Sequence, residues 1–212
     1  MIVPVAVTVL ALVALLACER QGFRPGAWIA KPLASTGFLW VALEAGATGS
    51  LYGRAVLGAL VLCWLGDVLL LGRGRGLGLR LGLGSFLLGH LAFAAAFGIR
   101  GLDAEAVLVA ALLLLPPAGV ALRWLLPHVP GDWRAPVFAY VGVISLMVVA
   151  ALGSVSGPHD MAVALGALAF YGSDLAVARE RFVEQGFVNK LWGLPLYYGA
   201  QLLLAASVRG AG

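Results

Sequence analysis

The chain has 212 residues, 62% hydrophobic and only 11% charged, with a net charge of +4. A soluble domain would carry about 25% charged residues, so a soluble enzyme is excluded. The basic residues lie in short loops between apolar runs, which is the pattern of membrane topology and not of a nucleic-acid face.

A crossing takes ~20 apolar residues. The length therefore holds at most about eight or nine spans and no soluble domain besides, and 1–212 reads as one integral-membrane domain. The apolar runs give eight spans, roughly 2–18, 30–47, 53–71, 82–99, 104–125, 134–153, 160–178 and 189–208. The expected fold is all-α, a polytopic bundle of transmembrane helices.

The first run closes on Leu15-Leu16-Ala17-Cys18, faintly like a lipoprotein cleavage site. Nothing basic precedes it and Arg20 and Arg24 follow, so an uncleaved first span is expected. The second carries Lys31 and Ser35, four apart and hence on one helix face, with Glu44 near its far end. Glu19 and Glu44 both lie close enough to a span end to be solvated. The third carries Trp64-Leu65-Gly66-Asp67 and leaves the membrane at Arg73 and Arg75.

Residues 72–84, GRGRGLGLRLGLG, contain GxGxxG-like spacing. No strand precedes them, so the dinucleotide reading fails and a flexible loop is expected. The fourth run opens with Ser85 and continues with Phe86, His90, Phe93 and Phe97 at intervals of four, three and four. That spacing makes an aromatic stripe holding one imidazole.

Pro116-Pro117 interrupts the fifth run and should bend that span. Gly142 and Gly166, in the sixth and seventh, are read as close helix-packing positions. The seventh run places Ser173 and Asp174 about one turn before the charged exit Arg179-Glu180-Arg181. The eighth begins with Asn189 and Lys190, and Lys190, Tyr197 and Gln201 share a face, with Tyr198 near Gln201.

Charge placement orients the bundle. The loops after the odd-numbered spans, with their flanks, hold Arg20, Arg24, Lys31, Arg73, Arg75, Arg80, Arg123, Arg134, Arg179, Arg181 and Lys190, whereas the other side holds Arg54, Arg100 and Arg209. The positive-inside rule then puts both termini outside and the odd-numbered loops in the cytoplasm. Only two of the fourteen basic residues are Lys, as in a GC-rich bacterial gene, so the expected location is the cell (inner) membrane.

In that topology Asp67 and Asp174 lie about a turn inside the cytoplasmic boundary, in one layer with Lys31, Ser35, Ser85, His90, Asn189 and Lys190. A charged carboxylate at the centre of a spanning helix costs about 2.5–3.5 kcal/mol on insertion scales, and such groups mark sites or pair with one another. Burial favours the neutral form of a carboxyl, and a second carboxylate nearby favours it further. The pair can thus supply one protonated acid and one ionised base. The competing reading is structural, each aspartate tied to a lysine or a hydroxyl on a neighbouring helix.

His128 and His159 fall in loops on opposite sides, and the two cysteines, Cys18 and Cys63, occupy other spans. The ligand spacing of a zinc site is therefore missing. No metal, cofactor or disulfide is expected.

Five short motifs, Lys31-Pro32-Leu33-Ala34-Ser35-Thr36, Leu65-Gly66-Asp67, Phe86-Leu87-Leu88-Gly89-His90, Phe170-Tyr171-Gly172-Ser173-Asp174 and Tyr197-Tyr198-Gly199-Ala200-Gln201, resemble in identity and order those of the YhhN/TMEM86 family of lysoplasmalogenase-like membrane proteins. The resemblance implies an eight-span fold and hydrolysis of the vinyl ether bond of lysoplasmalogens. The products would be a fatty aldehyde and a glycerophospho-base of ethanolamine or choline, and the residues matching Asp67 and Asp174 would lie at the active centre.

Vinyl ethers hydrolyse by protonation at carbon. Water captures the resulting oxocarbenium ion as a hemiacetal, which collapses. Asp67 and Asp174 suit the acid and the charge-steadying base, and His90 suits the orientation of water. Lys31 or Lys190 suits the lipid phosphate. Ser35, Ser85, Ser173, Asn189, Tyr197, Tyr198 and Gln201 are expected to line the lysophospholipid site. The alternatives are a small transporter or proton-coupled permease, which also uses intramembrane acids, and a non-catalytic lipid-binding protein.

Overall fold

The computed structural model describes residues 1–72, 76–157 and 160–209. Among these the chain forms eight long helices and no strand: α1 (Ile2–Gln21), α2 (Arg24–Glu44), α3 (Leu51–Leu69), α4 (Leu77–Ile99), α5 (Ala104–Leu125), α6 (Gly131–Gly153), α7 (Met161–Ala178) and α8 (Phe187–Ala206). A 3₁₀ turn, Leu126–His128, follows α5, and a π-turn, Arg179–Val183, follows α7.

The helix ends follow local chemistry. Gly22 takes the left-handed conformation (φ 68°) that ends α1, with Phe23 N–H donating back to the Cys18 carbonyl at 2.8 Å, a conformation only glycine adopts freely. Ser50 Oγ accepts from Gly53 N–H at 3.0 Å to start α3, and an Asp103 carboxylate oxygen accepts from Ala106 N–H at 2.7 Å to start α5. Both satisfy amides that would otherwise be left orphaned.

Consecutive helices pack as antiparallel pairs, α1 on α2, α3 on α4, α5 on α6 and α7 on α8. α8 also touches α1, α2 and α3, and α6 touches α4 and α7. Large apolar side chains such as Leu10, Ile29, Leu113 and Val120 point outward. Inward positions hold small residues and one aromatic core of Phe38, Phe86, Phe93, Phe97, Phe170, Tyr197 and Tyr198. A greasy outer surface around a packed interior is what a bundle in hydrocarbon requires.

Six of the eight helices have the length and hydropathy of membrane spans, and α2 and α8 do not. These two carry Lys31, Ser35 and Thr36, and Asn189, Lys190, Tyr197, Tyr198 and Gln201. Their polar residues lower the hydropathy that marks the other six.

Three expectations need correction. Much of the glycine-rich stretch at 72–84 is helical, because α4 starts at Leu77. Leu79 is buried in a second apolar cluster with Leu125, Val129, Trp133 and Val137, and that burial offsets the poor helix propensity of its glycines. Gly142 has open space where a Cβ would stand, so it is not a close-packing position. Gly166 is one, with Leu204 only 2.9 Å from that point. Glu19 is not simply solvated but meets Lys190 across α1 and α8 at 2.6 Å. Arg73, Arg75 and His159 lie outside the described residues. α5 runs unbroken through Pro116 and Pro117.

Candidate functional site

Six helix ends meet at one end of the bundle: the C-terminal ends of α1, α3 and α7 and the N-terminal ends of α2, α4 and α8. There a small cavity of about 120 Å³ is lined by both Asp67 and Asp174, together with Lys31, Tyr140, Ser173 and Tyr197. Glu180, Arg181, Asn189 and Lys190 complete its polar wall.

Asp67 is buried and its carboxylate is surrounded by donors. Ser35 Oγ donates to Oδ2 at 2.6 Å, Tyr197 Oη donates to the same oxygen at 2.7 Å, and Lys31 Nζ stands 3.1 Å from Oδ1. Three elements, α2, α3 and α8, supply this shell. Behind it, Tyr198 Oη donates to the Lys31 carbonyl at 3.3 Å and fixes the lysine's backbone. A buried charge is tolerated only with partners of this kind. The i, i+4 pairing of Lys31 and Ser35 read from the sequence is what brings both onto one acid.

Asp174 has a different neighbour. His90 Nε2 lies 3.5 Å from its Oδ2, with the imidazole fully buried and the carboxylate slightly exposed to the cavity. The His90 ring rests against Phe170 at 4.4 Å between centroids and meets Tyr140 edge-on at 5.5 Å. Among the described residues, neither ring nitrogen has a hydrogen-bond partner. The two aspartates thus have separate immediate partners and one common cavity.

The remaining candidates divide. Tyr197, Ser173, Asn189 and Lys190 line the cavity. Ser173 Oγ donates to the Phe170 carbonyl at 2.8 Å, and Asn189 is held by Glu180 and Arg179. Ser35 and Tyr198 stand behind the cavity wall, supporting Asp67 and Lys31. Gln201 is fully buried deeper in the core, its amide without a partner among the described residues. Ser85 is not drawn in; its hydroxyl donates to the Leu62 carbonyl at 2.6 Å and ties α4 to α3.

Tyr140, Glu180 and Arg181 are wall residues the sequence did not single out. The signal for Arg181 was present, because Asp174, Val177, Ala178 and Arg181 follow at three, four and seven and so share one helical face. For Tyr140 the sequence carries no such signal.

Two larger chambers adjoin the cavity. One, of about 590 Å³, lies among α4, α5, α6 and α7 and is walled mainly by Leu83, Leu87, Val137, Ile144 and Phe182, with Tyr140, Asp174 and Arg181 shared with the central cavity. The other, of about 550 Å³, lies on the polar side and is lined by Glu19, Arg24, Lys31, Glu180, Arg181 and Lys190. Among the described residues, no three His, Cys, Asp or Glu side chains are grouped to hold a metal ion. The chemistry available is that of three carboxyls and three cations around a small cavity, with the buried imidazole of His90 behind Asp174 and a large apolar annex.

The sequence profile of the YhhN family matches residues 26–208. The chain is 30% identical over 179 residues to bovine (Bos taurus) lysoplasmalogenase TMEM86A, covering 80% of this chain and 72% of that protein. It is also 30% identical to the human (Homo sapiens) lysoplasmalogenase TMEM86A over the same coverage. No solved structure matches.

Proposed function

Because the chain belongs to the YhhN family, we propose that it is a membrane-embedded ether hydrolase of the lysoplasmalogenase type, acting on alkenyl-glycerophosphoethanolamine or -choline. The observation that carries this reading is the shared cavity: two acids from distant parts of the chain line the same ~120 Å³ space, at the mouth of an apolar chamber suited to one long chain. The relatives bear the names of hydrolases, which lends nothing to a permease. In this reading all eight helices cross the membrane, with both termini outside and the site facing the cytoplasm, in the cell (inner) membrane. The charge distribution supports that topology.

The chemistry divides between the aspartates by their surroundings. Three donors around Asp67 match an ionised carboxylate, which steadies the positive charge of the oxocarbenium ion. Among the described residues Asp174 pairs with no lysine or arginine and faces His90, and the two together hold one proton. That proton passes to the vinyl carbon β to the ether oxygen, which leaves the positive charge on the oxygen-bearing carbon as an oxocarbenium ion. Water, oriented by His90, adds to the adjacent carbon and gives up a proton to the pair. The hemiacetal then expels the glycerol hydroxyl, leaving the aldehyde. One water is consumed and the acid–base pair is restored. No cofactor enters the scheme.

The test is release of fatty aldehyde from lysoplasmenylethanolamine by the purified protein, compared with Asp67→Asn and Asp174→Asn. The saturated alkyl-ether analogue should bind without reacting, since it has no double bond to protonate. Solute flux into proteoliposomes without aldehyde release would overturn the reading.

A further inference from the structure

Of the cations around the central cavity, two are already engaged. Lys31 sits on Asp67 and Lys190 on Glu19, at 3.1 and 2.6 Å. Arg181 is the third. Among the described residues it alone lines all three chambers, the apolar one, the central one and the polar one, and so stands where they meet.

Its neighbours in sequence are spent on local structure. Arg179 donates to Asn189 Oδ1 at 2.6 Å and pairs with Glu184, while Glu180 Oε2 accepts from Gly186 N–H and Asn189 Nδ2, each at 2.8 Å. That network closes the connection from α7 to α8. Arg181 takes no part in it. Among the described residues, it makes neither a hydrogen bond nor an ion pair within 4.0 Å.

The backbone that presents it is a π-turn, Arg179–Val183, with Glu184 N–H donating to the Arg179 carbonyl five residues back at 2.8 Å. Such one-turn widenings of a helix are uncommon and concentrate at functional sites. A half-buried guanidinium without a partner is costly. It becomes favourable when an anion arrives, and its planar fork fits a phosphate bidentately.

Resting on the hydrolase reading above, we propose that Arg181 is the phosphate anchor of a single-chain phospholipid. The ligand's tail lies in the chamber among α4–α7 and its headgroup lies toward the polar chamber on the α1, α2 and α8 side. Only a ligand with a phosphate between an apolar chain and a polar head places each part in a matching chamber while its charge meets Arg181. The bond joining chain to glycerol then falls in the central cavity, between Asp67 and Asp174.

The experiment measures binding to the full chain in detergent or nanodiscs, so it does not depend on turnover. The probes are a non-hydrolysable 1-O-alkyl-glycerophosphoethanolamine, the neutral 1-O-alkylglycerol of equal chain length, the tail-less glycerophosphoethanolamine, and inorganic phosphate. Arg181→Gln should weaken the alkyl phospholipid by roughly tenfold or more, the loss expected for one charge-assisted contact, and leave the alkylglycerol unchanged. Arg181→Lys should keep part of the affinity. Gly84 lines the apolar chamber with open space beside it, so Gly84→Phe should weaken long-chain probes more than short-chain ones.

Equal loss of both alkyl probes in Arg181→Gln, undiminished phospholipid binding in that variant, or free phosphate binding as tightly as the phospholipid would each overturn the assignment. Arg181-dependent phospholipid binding by a protein that releases no aldehyde would instead keep the anchor and remove the hydrolase.

Discussion

Tyr197 on α8 donates its phenolic hydrogen to the carboxylate of Asp67 on α3 at 2.7 Å, and the ring edge of the same tyrosine packs on Phe86 with centroids 5.8 Å apart. One side chain thus orients the acid and walls the cavity beside it. Tyr197→Phe should keep the ring packing and remove one of three donors. A lost hydrogen bond to a charged group costs about 1.5–3 kcal/mol of stability, so the melting temperature should fall, while aldehyde release should drop by about tenfold because two donors still hold Asp67. A loss as large as that of Asp67→Asn would mean that the phenol itself transfers a proton.

Asp67→Asn leaves Lys31 without its partner and removes the anion proposed to steady the transition state. Loss of a positioned acid or base lowers rates by typically 10²–10⁴-fold, and aldehyde release should fall by at least ~10²-fold. Stability should fall as well, because a buried cation has lost its counter-charge. Lys31→Met combined with Asp67→Asn should recover the stability but not the activity, measured by thermal unfolding and aldehyde assay side by side.

His90 gives the opposite pattern. Its ring is fully buried against Phe170 and Tyr140 and makes no hydrogen bond among the described residues, so an apolar ring of similar shape should suit the pocket at least as well. His90→Phe should hold or raise the melting temperature while abolishing aldehyde release. A variant that is both stable and fully active would remove His90 from the chemistry.

Close helix contact can be tested at two glycines. A Cβ on Gly66 would stand 2.6 Å from the Phe86 ring, whereas one on Gly142 would meet nothing within 4 Å. Gly66→Ala should destabilise by about 1–3 kcal/mol through overpacking. Gly142→Ala should be neutral or stabilising, by up to ~1 kcal/mol from helix propensity.

At the opposite end of the bundle, Asp160 accepts from the Ser156 backbone N–H at 2.9 Å and hydroxyl at 2.7 Å, and pairs with Arg100. The Ser156 bonds, aided by Arg100, hold its carboxyl down at about 2, below the ordinary 3.8. A group depressed in the folded state stabilises it fully above the unfolded value and loses that contribution as pH falls through the folded one. The contribution, screened by solvent, is on the order of 1 kcal/mol. Asp160→Asn should therefore lower the melting temperature at pH 6 and converge with the parent as pH drops from about 4 toward 2. A difference that persists undiminished at pH 2 would count against this account.

The membrane class, the eight helical segments and the convergence of polar residues at one end were all legible in the sequence. Each rests on local quantities: apolar run length, the placement of basic residues, and the 3.6-residue repeat that puts Lys31 with Ser35 and His90 with its phenylalanines. The candidate acids were legible too, because a carboxylate inside an apolar run is conspicuous by its cost.

Only the tertiary structure decided who meets whom. It gave Lys31 to Asp67 and Lys190 to Glu19, and it set Ser85 to bracing α3 instead of lining the site. It also made helix of the glycine-rich segment after residue 76, because Leu79 found a buried cluster contributed by α5, α6 and the turn between them. Tyr140 and Arg181 entered the site for the same reason. Which faces of neighbouring helices touch depends on crossing geometry and on small residues such as Gly66 and Gly193, whose missing side chains let Phe86 and Ala176 approach. That geometry is a property of pairs of helices, and no single segment encodes it.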